Sequence, residues 1–195
     1  LEPLRHSCET LGDFRLHNAD ALAFDFRTLR DDDRKLRLVG NLPYNISTPL
    51  LFHLLEQVEA IEDMHFMLQK EVVDRMAASP GSKTFGRLSV MLQISCDVQS
   101  LFDIGPESFR PPPKVDSSVV RLTPLASPRI DPARTADFSG FVAQAFQQRR
   151  KTLRNNLKGI LEPPGIESAG IDPGCRAETL SIDDLIRLFE SRSQD

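Results

Sequence analysis

The chain has 195 residues, a formal net charge of −4, and 40% hydrophobic and 27% charged side chains, enough apolar surface for one good core with a smaller appendage and too much for a disordered chain. No apolar run approaches the ~20 residues of a membrane helix, and no basic stretch followed by an apolar one opens the sequence, so a cytoplasmic chain is expected, neither membrane-spanning nor secreted. Cys8, Cys96 and Cys175 form no C-x-x-C pair and the four histidines lack the spacing of a helical zinc site, so reduced thiols and no metal are expected.

The chain opens on Leu1, and LEPLRHSCETLG reads as the end of a helix already under way, so a fragment of a longer protein is the expectation. FRLHN (14–18) and KLRLVG (35–40) predict short strands, with the acidic TLRDDDRK between them a solvated loop. Ser47 or Thr48 would cap a helix with Pro49 in its first turn, continuing through LLFHLLEQV. MHFMLQ (64–69) has the pattern of a buried strand and KEVVDRMAA that of the helix after it. Strand, helix, strand, helix predicts a parallel sheet with crossover helices. SPGSKTFG (79–86) is a turn region and RLSVMLQISC a helix; DVQSLFDI (97–104) and SSVVRLTPL (117–125) are strands joined by the proline-rich GPESFRPPPKVD. From LASPRIDPART the composition changes, and DFSGFVAQAFQQRRKTLRNNLKGIL and AETLSIDDLIRLFESR read as helices. The expected organisation is an α/β domain over 1–127 and a small all-α domain over 128–195.

GNLPYNIS (40–47) raises the question of function, because it places an amide, a proline and the only tyrosine outside the carboxyl end of a strand, where open α/β sheets bind ligands. The Asn41 side-chain oxygen and the Leu42 carbonyl would suit a ligand donating two N–H bonds, such as the exocyclic amine of a base. Pro43 brings a fixed φ and no N–H, and Tyr44 offers a stacking face. Two acceptors on adenine N6 would favour a pyramidal nitrogen whose lone pair attacks a methyl sulfonium in line, with positioning and desolvation supplying the catalysis. The same four residues are also an ordinary strand-to-helix turn. Asp20 reads from its neighbours as a turn or cap, Phe109 as a core phenylalanine or a base contact, and Lys114 as a solvated lysine or a phosphate contact. Arg149, Arg150, Lys151, Arg154 and Lys158 put five cations in ten residues. On one continuous helix 151, 154 and 158 share a face, beside an apolar side of Phe138, Val142, Ala145, Leu153 and Leu157. That ridge is either a solvated face or a track for RNA phosphates.

NLPYNISTPLLFHLL, MHFMLQKEVVDRM, KTFGRLSVMLQ, SFRPPPKVDSSVVRL and AFQQRRKTLRNNL, in that order, resemble the small-subunit ribosomal RNA adenine dimethyltransferase family, the KsgA type. The resemblance implies a Rossmann-like S-adenosylmethionine-dependent methyltransferase domain with a small helical RNA-binding domain. It further implies dimethylation of N6 on two adjacent adenosines near the 3′ end of 16S rRNA during small-subunit assembly, by a monomer. Asn41, Leu42, Pro43 and Tyr44 then match the catalytic motif, Asn41 also bordering the cofactor, and Asp20 matches the acidic residue that binds the cofactor's adenine. Phe109 matches an aromatic that sandwiches the target base opposite Tyr44, on a loop that Pro111 to Pro113 would hold extended. The five cations and Lys114 become candidate RNA contacts.

The ten glycines include no G-x-G pair, so the family's cofactor-wrapping turn and the acidic residue after its second strand have no counterpart here. Weak or no S-adenosylmethionine binding, an inactive chain, an unpaired sheet edge and exposed apolar surface are the expected consequences. Two alternatives accompany the main reading: the related 23S rRNA adenine methyltransferases of macrolide resistance, and a non-catalytic RNA-binding assembly factor.

Overall fold

A computed structural model describes residues 2–8, 10 and 12–192. After helix α1 (Glu2–Cys8), four strands form one mixed sheet of order β1-β2-β4-β3: β1 (Leu36–Asn41), β2 (Ile61–Gln69), β3 (Cys96–Ile104) and β4 (Ser117–Pro124). Helix α2 (Ser47–Leu55) crosses from β1 to β2, which pair in parallel as expected, whereas β4 runs antiparallel to both of its neighbours. The β3–β4 connection has no crossover helix, only a single 3-10 turn at Pro106–Ser108, and antiparallel pairing needs no more.

Two cores follow from the apolar patterns. In the first, Met64, Phe66, Leu68, Val120 and Leu122 face Leu50, Leu51 and Leu54 of α2 and Val73 and Met76 of α3 (Lys70–Met76). The second lies among α4 (Arg87–Gln93), α5 (Thr135–Ala145), α6 (Leu153–Asn156), α7 (Pro163–Ser168) and α8 (Ile182–Ser191). There the Phe189 ring meets Phe138 edge-on at 5.2 Å, and the Arg134 guanidinium lies 4.6 Å from its centroid. Each such ring contributes about 2–3 kcal/mol by burial alone. Leu92 of α4 belongs to the first core and Val90 and Met91 to the second, so one short helix is a wall common to both.

The other face of the sheet is uncovered. Val39, 77% exposed, starts a cross-strand row that runs through His65 and Arg121 to Gln99. Next to it Arg37 donates two 2.8 Å bonds to Asp63, and this guanidinium holds the Asp63 carboxyl below its ordinary range. Among the described residues no strand pairs with the outer edge of β1, and Phe102 is exposed on β3, so the expected open edge and apolar surface are both present there.

Four local expectations are corrected. Residues 14–18 are not a strand: no described strand lies alongside them, and Arg15 is instead held by Asp13 and Asp31. Ser47 is not a helix cap but the first residue of α2, its hydroxyl donating back to the Tyr44 carbonyl, and Thr48 lies within the helix. The helix over 87–96 stops at Gln93, because the carbonyls of Ile94 and Ser95 accept from Arg129 and Leu125 and Cys96 begins β3. The long helix through 149–158 does not exist. α5 ends at Ala145, residues 146–152 turn, and α6 is a single turn.

Candidate active site

Strand alternation builds the site. Asn41, the last residue of β1, lies opposite Met67, and by the period of two Met67, Gln69 and the facing Ser117 share its side of the sheet. Leu42 therefore points the other way. It is buried in the first core and packs so closely over Gly40 that a Cβ there would meet Leu42 Cδ2 at 3.1 Å. The Leu42 N–H donates to the Met67 carbonyl at 3.2 Å, extending the ladder by one bond. Among the described residues nothing donates to the Leu42 carbonyl, and the exposed Asn41 side chain makes no hydrogen bond. A backbone fixed by a buried leucine thus carries an idle acceptor on each of two successive residues. Pro43 follows, its carbonyl accepting from Ile46 as the chain turns into α2.

Tyr44 stands in that turn, 41% exposed, with its hydroxyl 3.1 Å from the Ser117 hydroxyl at the start of β4. Ser117 ends the loop that carries Phe109 and Lys114, so these residues and the Asn41–Tyr44 segment lie at one end of the sheet. Phe109 is half-buried and belongs to neither core; Lys114 is exposed. The loop is not a straight polyproline rod, for it bends at 109–111 and 114–115 and its Arg110–Pro111 peptide is cis. Its base is fixed by the Lys70 N–H, which donates to the Asp116 carbonyl at 2.9 Å. The Lys70 ammonium, 3.1 Å from both Asp74 and Asp103, is raised in pKa by Asp103 first and Asp74 second, and in turn lowers that of Asp103. Lys70 and Ser117 are site elements that sequence reasoning missed.

Asp20 lies in a turn. One carboxylate oxygen accepts from the Leu22 N–H at 2.9 Å and its carbonyl from Ala23 at 3.1 Å, leaving Oδ2 free of recorded partners among the described residues. The following residues, Ala21 and Leu22, pack on the core that buries Leu42. Two partly buried contacts hold this stretch to α2 and the turn after it: His53 Nε2 donates to the Phe24 carbonyl at 2.7 Å, and Gln57 Oε1 accepts from the Phe26 N–H at 2.7 Å. The turn and cofactor-binding readings of Asp20 are compatible, since the turn occupies one oxygen only. Asp20 Oδ2 and the Asn41 side chain are the free polar groups that would meet one edge of a cofactor such as S-adenosylmethionine. No glycine-rich cradle for the remainder stands among the described residues, so the fit is partial.

The five cations are all exposed, but they do not form a helical ridge: Arg149, Arg150 and Lys151 occupy the turn after α5, Arg154 lies on α6, and Lys158 follows it. The break has a visible cause. Buried Asn156 donates to the carbonyls of Ala145 (2.8 Å) and Gln148 (3.2 Å), and Gln144 donates to the Asn156 carbonyl, folding the chain back on the end of α5. Arg149 Nε lies 2.8 Å from Glu178 Oε2, off the hydrogen-bonding line, and the same guanidinium reaches the Ser82 carbonyl at 3.5 Å. Arg149 therefore braces the 79–86 segment, whereas Arg150, Lys151, Arg154 and Lys158 have no acidic partner among the described residues. Thr84, in the braced segment, lines a cleft of about 350 Å³ with Gln69, Lys70 and Asp116, so the segment runs from the basic turn to the Tyr44 end of the sheet.

Comparison with known proteins matches residues 1–194 to the family model described as ribosomal RNA adenine dimethylase. Relatives include the ribosomal RNA small subunit methyltransferases A of Nitrosococcus oceani, 56% identical over 93% of this chain and 69% of that protein, and of Pseudomonas aeruginosa, 58% identical over 90% and 65%. The chain thus spans about two thirds of the length of these relatives. Among solved structures, a dimethyladenosine transferase from Plasmodium falciparum superposes with a TM-score of 0.84 over 98% of this chain and 78% of its own. The 23S rRNA methyltransferase ErmE gives 0.72 over 99% and 78%. At 23% identity each, these two speak for the fold alone.

Proposed function

The chain belongs to the ribosomal RNA adenine dimethylase family, and from that premise we propose that it carries the target-amine half of an enzyme dimethylating N6 of two adjacent adenosines near the 3′ end of 16S rRNA. One observation supports this most: the idle acceptors of Asn41 and Leu42, carried by successive residues at a strand end whose N–H is already spent on Met67. In this role the Asn41 side-chain oxygen and the Leu42 carbonyl accept the two hydrogens of N6. They hold the nitrogen pyramidal, with its lone pair free of the ring. Pro43 keeps a competing N–H out of the site, Tyr44 stacks on one face of the adenine, and Phe109 closes on the other. Positioning and exclusion of water supply the rate, and the amine proton leaves after transfer without a strong base.

S-adenosylmethionine supplies the methyl group when bound, and Asp20 and Asn41 are the residues of this chain that would hold it. These 195 residues alone should bind it weakly or not at all, since only one edge of the cofactor has contacts here. The basic turn and Lys114 serve as contacts to rRNA phosphates in the small subunit or its precursor, with Arg149 acting mainly as a brace. We keep the division into a methyltransferase part (1–127) and an RNA-binding part (128–195), with α4 common to both cores. The ribosomal substrate implies a cytoplasmic monomer engaged in ribosome biogenesis; among the described residues no helix is long and apolar enough to cross a membrane.

Relatives more than half identical bear the small-subunit name, which favours 16S over 23S rRNA. The test is radiolabelled methyl transfer by the full-length gene product to small and large ribosomal particles that lack adenine dimethylation. Incorporation into two neighbouring adenosines of 16S rRNA supports the proposal. Incorporation into 23S rRNA overturns it, and incorporation into neither points to a binding factor.

A further inference from the structure

Ser117 is fully buried, yet its hydroxyl has one recorded partner among the described residues, the Tyr44 hydroxyl at 3.1 Å, across 73 residues of sequence. Neighbouring Ser118 is different: its hydroxyl donates to the Phe102 carbonyl and meets Ser100, serving the sheet itself. A buried hydroxyl kept for a single half-exposed partner needs a reason, because alanine would pack there without leaving a polar group to satisfy. The surroundings of Ser117 are rigid. It pairs with Gln69 of β2 and Ile104 of β3, and the preceding residue, Asp116, is bonded to the Lys70 N–H. Tyr44, by contrast, sits in a three-residue turn whose other anchors are the Ile46 N–H to Pro43 carbonyl bond and the Ser47 hydroxyl on the Tyr44 carbonyl. Those bonds hold the backbone and leave the ring free to rotate.

We propose that Ser117 is a positioning residue for methyl transfer: by holding the edge of the Tyr44 ring at its hydroxyl, it fixes the plane on which the target base stacks and ties that plane to the strand from which the Phe109 loop emerges. The position of the ring is then set by the same strand start that anchors the end of the loop carrying Phe109. The contact uses only the hydroxyl and leaves the ring face open, as a stacking platform requires. This inference depends on the stacking role proposed above for Tyr44.

The test is a double-mutant cycle in the full-length gene product with Ser117→Ala and Tyr44→Phe, reading single-turnover methyl transfer and KM for the ribosomal particle. Each single change should slow transfer about fivefold, the worth of one net hydrogen bond, with KM nearly unchanged, and the double variant should be no slower than either single one. A signature separates positioning from general stability. With 3-fluorotyrosine incorporated, the fluorine line assigned to residue 44 should broaden in Ser117→Ala while the melting temperature stays close to that of the parent. Ser117→Thr, which keeps the hydroxyl, should restore a narrow line. Additive losses in the cycle, or full activity and an unchanged line in Ser117→Ala, would overturn the positioning role. Tyr44→Ala distinguishes the two layers: its full activity would sink the stacking role itself, whereas its loss beside a silent Ser117→Ala sinks only the inference about Ser117.

Discussion

Replacing Asn156 with alanine should destabilise the protein by about 2–4 kcal/mol, although the residue touches neither the sheet nor the candidate active site. Its side chain is 4% exposed and donates to two backbone carbonyls, Ala145 at 2.8 Å and Gln148 at 3.2 Å. Each bond is worth about 1 kcal/mol net, and stranding a buried acceptor adds a further ~1 kcal/mol or more. Asn155 supplies the control, an exposed neighbour whose amide donates to the Thr152 hydroxyl; its alanine variant should cost about 0.5 kcal/mol or less. Urea unfolding of the full-length gene product measures both, as a shift in midpoint at constant slope. Because Asn156 shapes the turn that carries Arg149 to Lys151, its alanine variant should also bind rRNA more weakly with every cation still present. A loss below about 1 kcal/mol, or equal losses for the two asparagines, would refute the assignment of Asn156 as the clamp on this turn.

Two further outcomes follow from charge and burial. Arg150→Glu combined with Arg154→Glu should weaken binding to small-subunit particles and flatten its dependence on salt, the difference from the parent being largest at low ionic strength; an unchanged slope would remove these residues from the RNA contacts. Burial pushes the Cys96 thiol up to about 12 from an unfolded value of 9.0. Its contribution to stability is therefore complete below about pH 9 and lost as the pH rises towards the folded value, since only the unfolded chain releases the proton in that window. Cys96→Ala should flatten the fall in stability between pH 9 and 11. At pH 8 a thiol reagent should leave Cys96 unmodified until urea is added, and modification of the native protein there would contradict its burial.

Where the chain runs through the core, its fold was legible. The runs at 36–40, 64–69 and 117–124 are strands because their side chains alternate or fill a buried face, and the Asn41–Tyr44 site falls at a strand end for the same reason; 97–104 is a strand through its pairing with β4, most of its side chains being exposed. FRLHN failed because a strand is made by its neighbour, which no pattern within five residues can reveal. The broken helix was readable in part. Phe138, Val142 and Ala145 require an apolar residue near 148 or 149, and Gln148 and Arg149 stand there, so the stripe is interrupted before Leu153 resumes it. Asn156 and Ser117 left no local signal, since each takes its role from partners brought close only by folding: the end of α5 for one, a tyrosine 73 residues away for the other. Asp20 lay between two readings because its carboxylate takes part in a turn and still keeps an oxygen free.

In the proposed mechanism the Asn41 side chain and the Leu42 carbonyl hold the amine that receives the methyl group. Its most direct test is Asn41→Ala in the full-length gene product, comparing methyl transfer with binding to unmethylated small-subunit particles. Transfer should fall on the order of a hundredfold or more while particle affinity is kept, as for loss of a preorganised hydrogen-bonding group at a reacting centre. Transfer at the parent's rate would contradict the claim, whatever the particle affinity.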